Sequence, residues 1–125
     1  MKSAFTMIEL IFIIVIIGIL AGVALPKLMA TRSDARGAVV VNNLVTCIND
    51  AGNEYIKNGT FNGTTTGEHA STACRLAAEC FDFEEDDANG TLSVNNKSDS
   101  EGKGCNEAQE IARKNLLSTT HDFHF

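Results

Sequence analysis

The chain has 125 residues, a net charge of −6 and 44% hydrophobic residues. This acidic balance disfavours electrostatic binding to nucleic acid, which needs a basic patch, so no nucleic-acid partner is expected. The length suffices for one small domain beside a membrane segment. A core of that size is marginal without covalent cross-links.

A long apolar segment runs from Phe5 to Pro26, and it contains no charged residue after Glu9. About 20 helical residues span the roughly 30 Å hydrocarbon layer of a bilayer. Only a helix satisfies its own backbone groups there as a single segment. The sequence therefore predicts a membrane-spanning helix. The alternative is the core helix of a soluble domain, but so small a domain could hardly cover this helix on every side.

Glu9 is an ionisable residue inside this segment. A charged side chain costs roughly 2.5–3.5 kcal/mol at the centre of a bilayer by insertion scales, and less near the edge. Glu9 could mark the membrane boundary, or it could be a carboxylate that requires a cationic partner in the apolar phase. The residues alone leave both interpretations open.

The residues around Glu9 resemble a known N-terminal motif. A short basic leader, Met1 to Ala4, precedes the hexapeptide FTMIEL that starts at Phe5, and an apolar helix follows up to Pro26. This pattern resembles type IV prepilins and type II secretion pseudopilins. In that family a membrane peptidase cuts before the phenylalanine and methylates the new amine, which implies cleavage between Ala4 and Phe5. Ala4 stands where the family usually has glycine; alanine is the smallest substitute, so cleavage is expected to be kept, with a slower rate as the open alternative.

The resemblance implies an α+β fold, in which the second half of a long N-terminal helix packs on a small antiparallel sheet. The expected domains are a leader (1–4), a transmembrane and filament-core helix (5–26) and a periplasmic or extracellular head (27–125). The function implied is that of a structural filament subunit, inserted in the inner membrane before assembly into a pilus or periplasmic pseudopilus. The implied partners are other copies of the chain, the prepilin peptidase, an assembly platform and a motor.

A mechanism for assembly follows from the same resemblance. Glu9 of an incoming subunit would neutralise the terminal amine of Phe5 on a neighbour, because an unpaired charge is costly in low dielectric. An ordinary secreted or periplasmic binding protein is the alternative, since Gly22 and Ala24 would permit signal-peptide cleavage before Leu25. Glu9 within the apolar region argues against that alternative.

The sequence leaves the type of filament open: a major pilin, a minor pilin, a secretion pseudopilin or a DNA-uptake pilin. It contains no evident set of nucleophile, base and orienting group, and no glycine-rich phosphate loop. Neither enzyme activity nor a cofactor is therefore expected.

One long helix is predicted from about Phe5 to Lys57, with a kink near Pro26. Gly18 and Gly22 form a GxxxG pair, which can mark a close-packing face in lipid but also lowers helix stability. Gly18 to Pro26 is thus the predicted weak part of the helix, and pilin filaments can lose helical order in the matching region. Beyond Pro26 an apolar stripe at helical spacing is predicted to be covered by the domain. Its residues are Val41, Leu44, Val45, Ile48, Tyr55 and Ile56.

Shorter elements are predicted after a polar loop at Asn58–Gly67. They are a helix at about Glu68–Glu79, strands around Phe81–Glu84 and Leu92–Val94 joined by an Asn89-Gly90 turn, a helix at Glu107–Leu117 capped by Asn106, and a strand at His121–Phe125. A polar loop is expected at Asn95–Gly104. The predicted core-facing residues of the last two elements are Ala108, Ile111, Ala112, Leu116, Phe123 and Phe125.

Four cysteines lie beyond the apolar segment, and none falls in a CxxC pair. Disulfides in an oxidising compartment are therefore favoured over a metal site or free thiols. The basic residues Lys27, Arg32 and Arg36 favour the opposite, cytoplasmic placement by the positive-inside tendency. The basic residues and the cysteines therefore give conflicting evidence. We place the domain outside on the strength of the cysteines and the leader resemblance.

Four cysteines allow three pairings. Cys47 flanks the apolar stripe of the long helix, and Cys74 lies on the short helix predicted to cover that stripe, so these two are expected to meet. Cys80 and Cys105 would then tie the last helix back to the sheet. We favour this pairing, Cys47 with Cys74 and Cys80 with Cys105, over the other two.

Three further features of the sequence are candidate sites. The acidic run Glu84–Asp87 could bind calcium, as a C-terminal loop does in some pseudopilins, but it lacks the DxDxDG spacing and is better explained as a solvated turn.

Asn89 fits the acidic N-glycosylation acceptor of some bacteria, although the hairpin turn also explains Asn89-Gly90; plain triplets begin at Asn58, Asn62 and Asn96. His121 and His124 would point to opposite faces of a strand, so no shared metal is expected.

Overall fold

The computed structural model describes residues 4–98, 104–117 and 121–125. These contain α1 (Met7–Asn58), α2 (Thr72–Ala77), β1 (Phe81–Asp86), β2 (Thr91–Asn96), α3 (Cys105–Lys114) and β3 (His121–His124). The chain divides into two compact units, residues 1–32 and 33–125, and the division falls within α1. Leader residues 1–3, half of the predicted loop Asn95–Gly104 (residues 99–103) and the side chain of His121 lie outside the described part.

Both ends of α1 follow from local chemistry. The Thr6 hydroxyl accepts a hydrogen bond from the Glu9 N–H at 3.3 Å, which is the geometry of an N-terminal cap. The helix therefore begins at Met7, two residues after the predicted start. At the other end Gly59 adopts a φ of 74°, and its N–H donates to the Tyr55 carbonyl at 2.7 Å. Pro26 lies inside the helix, which continues beyond it.

Residues 33–58 of α1 contribute one buried stripe to the core of the second unit. Val41, Leu44 and Ile48 are buried as predicted, and the stripe is completed by small residues that the prediction omitted: Gly37, Cys47, Ala51 and Gly52. The predictions for Val45 and Ile56 were wrong, because they are 38% and 76% exposed. Both side chains lie beside the stripe, and no element of the described structure covers them.

The sheet is antiparallel in the order β1-β2-β3. In its register Phe83 lies opposite Val94, and Leu92 lies opposite Phe123. Alternation of strand side chains turns these apolar residues to one face, where they join the α1 stripe and α3 in a single core. A long helix packed on a small antiparallel sheet is the α+β architecture that was predicted.

The hairpin between β1 and β2 turns at the predicted Asn89-Gly90. Gly90 has a φ of 65°, which favours glycine. A Cβ at Gly90 would also stand 2.8 Å from the Tyr55 ring, so the turn packs directly against α1. The predicted inward orientation of Phe125 was only partly right: it is 39% exposed, but its ring meets that of Phe61 edge-on at 6.0 Å.

The two short helices differ in extent from their predictions. Helix α2 is shorter than the predicted Glu68–Glu79, because the Ser71 hydroxyl accepts from the Cys74 N–H at 3.2 Å and so fixes its start. Helix α3 begins at Cys105 after Gly104, so Asn106 is not its cap.

The end of α3 also differs from its prediction. The helix stops at Lys114. Two residues later Leu116 adopts a φ of 56° and is 66% exposed. Leu117 packs against the core in its place. The buried residues Ala108 and Ala112 keep the apolar face of α3 where it was predicted.

Candidate functional sites

The apolar segment is the first candidate site. Every described residue from Ala4 to Arg32 is exposed, including large side chains such as Phe12, Ile19 and Val23. Helix α1 is long and apolar enough to cross a membrane, and no part of its apolar window is buried. A core helix of a soluble protein and a signal sequence can satisfy the same length and composition test. The lack of burial argues against the core helix and leaves an exposed apolar surface of the kind that marks membrane or protein interaction sites.

Glu9 lies in the first turn of α1 and is exposed. A carboxylate there interacts favourably with the positive end of the helix dipole. Among the described residues none pairs with the Glu9 carboxylate. Ala4 and Phe5, the predicted processing residues, precede the helix and are exposed.

Gly18 and Gly22 lie on the exposed part of α1. A Cβ built at either position meets nothing within 4 Å. The protein itself therefore makes no use of the small size of these glycines. Close packing by another helix and a local weakness that includes Pro26 both stay predictions for this segment.

The second candidate is the pair of cysteine bridges. Cys47 and Cys74 are disulfide-bonded with a Cα–Cα distance of 4.6 Å, and Cys80 and Cys105 with one of 5.2 Å. This is the pairing that the sequence analysis favours. All four cysteines are buried, with at most 1% exposure. One bridge joins α1 to α2, and the other joins the start of β1 to the start of α3.

The acidic run at Glu84–Asp87 holds the preceding loop in place. The Glu85 carboxylate accepts from the Thr65 N–H at 2.8 Å and from the Thr65 hydroxyl, and Asp87 accepts from the Phe61 N–H at 2.7 Å. The solvated-turn interpretation fits the exposed Glu84, Asp86 and Asp87 but not Glu85, which is half-buried against Thr65. Among the described residues no group of three or more His, Cys, Asp or Glu side chains could hold a metal ion.

The loop that these carboxylates hold carries two residues that sequence reasoning missed. Phe61 is fully buried and Thr65 is 1% exposed, although the loop was predicted from its polar composition. The Phe61 ring lies 4.9 Å from that of Tyr55. The signal that could have predicted the burial of Phe61 is a single large apolar residue within a run of Gly, Thr and Asn.

Asp86 and Asn89 organise the turn of the hairpin. The Asn89 amide donates to the Asp86 carboxylate at 2.6 Å, and this bond lowers the pKa of Asp86 below its ordinary value. Asn89 is exposed, so it is accessible to a modifying enzyme, and its glycosylation stays a prediction. The Asp86 bond supplies a structural reason for asparagine at this position.

The outer face of the sheet is polar. Ser93 donates to Asp122 at 2.6 Å, and the Thr91 hydroxyl lies 3.2 Å from Nδ1 of His124. These pairs link β2 to β3 across the sheet. Both pairs lie on the outer face of the sheet, where they stabilise the pairing of β2 with β3.

Comparison of the chain with protein-family models, with curated proteins and with solved structures finds no match.

Proposed function

We propose that the chain is the structural subunit of a type IV pilus or of a type II secretion pseudopilus. The observation that carries the proposal is the apolar segment Phe5 to Pro26, which is exposed throughout, is helical from Met7 and carries a carboxylate in the first helical turn. A membrane accounts for the apolar surface. A membrane edge would also tolerate the Glu9 carboxylate, which pairs with none of the described residues, whereas assembly with other copies would give it a cationic partner.

In this mechanism Glu9 of one subunit accepts hydrogen bonds from the amine of Phe5 on another. Both groups lie at the start of the apolar segment, where water is scarce once subunits pack together. A charge left unpaired there is costly, and removing one partner of a buried pair typically costs about 3–5 kcal/mol. The pair would therefore select subunits in the correct axial position. It also requires cleavage between Ala4 and Phe5, since only cleavage creates the amine.

The second unit supports the same proposal. Its core is small and carries two buried disulfides, which suits a domain exposed to an oxidising compartment outside the inner membrane. Storage in that membrane as a single-pass prepilin would precede assembly. The peptidase, the platform and the motor enter only through the resemblance of the N-terminal motif.

N-terminal sequencing of the mature protein tests processing. Phe5 as the first residue supports a filament subunit. Leu25 as the first residue would instead indicate an ordinary signal peptide and a secreted protein, and it would overturn the proposal.

Assembly is tested by Glu9→Ala and Glu9→Gln in cells that lack the wild-type chain. Both variants should enter the membrane and be cleaved normally, but electron microscopy should show filament yield reduced at least about tenfold, because about 3–5 kcal/mol is lost at each interface. Glu68→Ala, at an exposed head position, is the control and should assemble normally. Wild-type filament yield from Glu9→Gln would contradict the charge-pairing mechanism.

A further inference from the structure

The first turn of α3 lies directly against α1 at the beginning of the second unit. A Cβ at Gly37 would stand 2.8 Å from the Glu107 Cβ and 3.0 Å from the Ala108 nitrogen. A Cβ at Gly104 would stand 2.9 Å from the Arg36 Cβ and 3.2 Å from the Gly37 nitrogen. Glycine on both sides is therefore what permits the two backbones to approach this closely.

A hydrogen bond reinforces this contact. The Ser33 hydroxyl donates to the Glu107 carboxylate at 2.5 Å. The same bond is the main cause of a Glu107 pKa below its ordinary value, so the carboxylate is ionised at neutral pH. Ser33 is half-buried, and it is the first residue of the second unit.

Helix α3 is in turn fixed to the sheet. Cys105, its first residue, is 1% exposed and is bonded to Cys80 at the entrance to β1. One turn later the Gln109 amide donates to the Cys80 carbonyl at 2.8 Å and to the Lys97 carbonyl at 3.0 Å. These bonds connect α3 to both ends of the β1–β2 hairpin, so α3 is held on the sheet by contacts additional to those with α1.

We propose that the start of α3 acts as a clamp that keeps α1 helical from Ser33 onward and confines any loss of helical order to residues before it. The clamp consists of Ser33 and Gly37 on α1 and Gly104 and Glu107 on α3, locked by the Cys80–Cys105 bridge. It coincides with the division between the two units at residue 33. The clamp acts within a single chain, so it operates whether or not the chain assembles into a filament.

Hydrogen exchange of the full chain in detergent micelles tests the role of the bridge. The two disulfides close loops of similar size, with sequence separations of 25 and 27, so their removal costs similar global stability. Cys80→Ala with Cys105→Ala should accelerate exchange of residues 33–41 at least about tenfold more than Cys47→Ala with Cys74→Ala does. Equal acceleration in the two variants would overturn the clamp.

Glycine substitutions provide a test that leaves the disulfides intact. Helix propensity alone would make Gly37→Ala slow the exchange of α1 about fivefold. The clamp predicts the opposite sign, faster exchange of residues 33–41, because the new Cβ pushes α3 away. Gly18→Ala and Gly22→Ala are matched controls, since neither meets a neighbour, and each should slow local exchange. Slower exchange around position 37 in Gly37→Ala would refute the clamp.

Discussion

The two units of this chain place apolar residues in opposite environments. In residues 4–32 every side chain is exposed, although most are aliphatic. In the described part of residues 33–125 the buried apolar side chains form one core that includes both disulfides. Helix α1 contributes to both units, first as a helix that is apolar all round and then as a helix with one apolar stripe. The first part thus carries an exposed apolar surface of the kind that marks membrane or protein interaction sites, whereas the apolar stripe of the second is covered within the chain.

The largest expected difference between the units comes from one substitution made in each. Phe61→Ala should lower the free energy of unfolding of the head by about 3–5 kcal/mol, because it empties a fully buried site. Phe12→Ala should leave that free energy unchanged and weaken membrane association, because Phe12 is 67% exposed. Denaturant unfolding in detergent, followed by circular dichroism and by the fluorescence of the sole tyrosine, Tyr55, measures the first effect. Equal destabilisation by the two variants would mean that the apolar segment is part of the head core.

A smaller difference is expected for two threonines. Thr65→Val should destabilise the head by about 1–2 kcal/mol, because the hydroxyl of a buried Thr65 donates to the Glu85 carboxylate. Thr31→Val removes a hydroxyl that donates to the Lys27 carbonyl at 2.9 Å on an exposed helix surface, and should change stability by less than about 0.5 kcal/mol. The same unfolding measurement applies. A neutral Thr65→Val would show that the loop bond contributes nothing to the core.

The smallest effect concerns pH and the boundary between the units. The bond from Ser33 lowers the pKa of Glu107 below its ordinary value of 4.5. The ionised carboxylate therefore stabilises the fold above that pH, and this contribution is lost as the pH falls through the lowered pKa. Glu107→Gln should make stability less dependent on pH between about 5 and 3. Ser33→Ala should do the same, and the double variant should add nothing. A pH dependence that Ser33→Ala leaves unchanged would show that the bond from Ser33 is not what lowers the pKa of Glu107.

Much of the fold could be predicted because its signals are periodic or local. The alternation of Phe81 and Phe83 with acidic residues identified β1, and Asn89-Gly90 identified the turn. The cysteine pairing followed once Cys47 was placed beside the stripe of α1 and Cys74 on a helix that covers it. In the first candidate site Glu9 could be singled out because a carboxylate is conspicuous in an apolar segment.

The remainder depends on tertiary contacts that no local pattern encodes. Gly37 is buried because α3 approaches it closely, and Gly52 because Phe125 does. The residues next to these glycines in the sequence do not predict either contact. Phe61 lies in a loop whose composition predicts solvent exposure, yet Asp87 and α1 make it part of the core. Ile56 shows the converse error, since helical spacing gave it a stripe position that no element covers.

The order of the bridges along the chain has a consequence for export. The first bridge closes at Cys74, six positions before Cys80, so the two loops follow one another and neither encloses the other. In the proposed export, a head domain oxidised as it emerges in sequence order would present Cys47 and Cys74 before any competing thiol, and then Cys80 and Cys105. Consecutive oxidation would then yield the native connectivity directly, without reshuffling of disulfides.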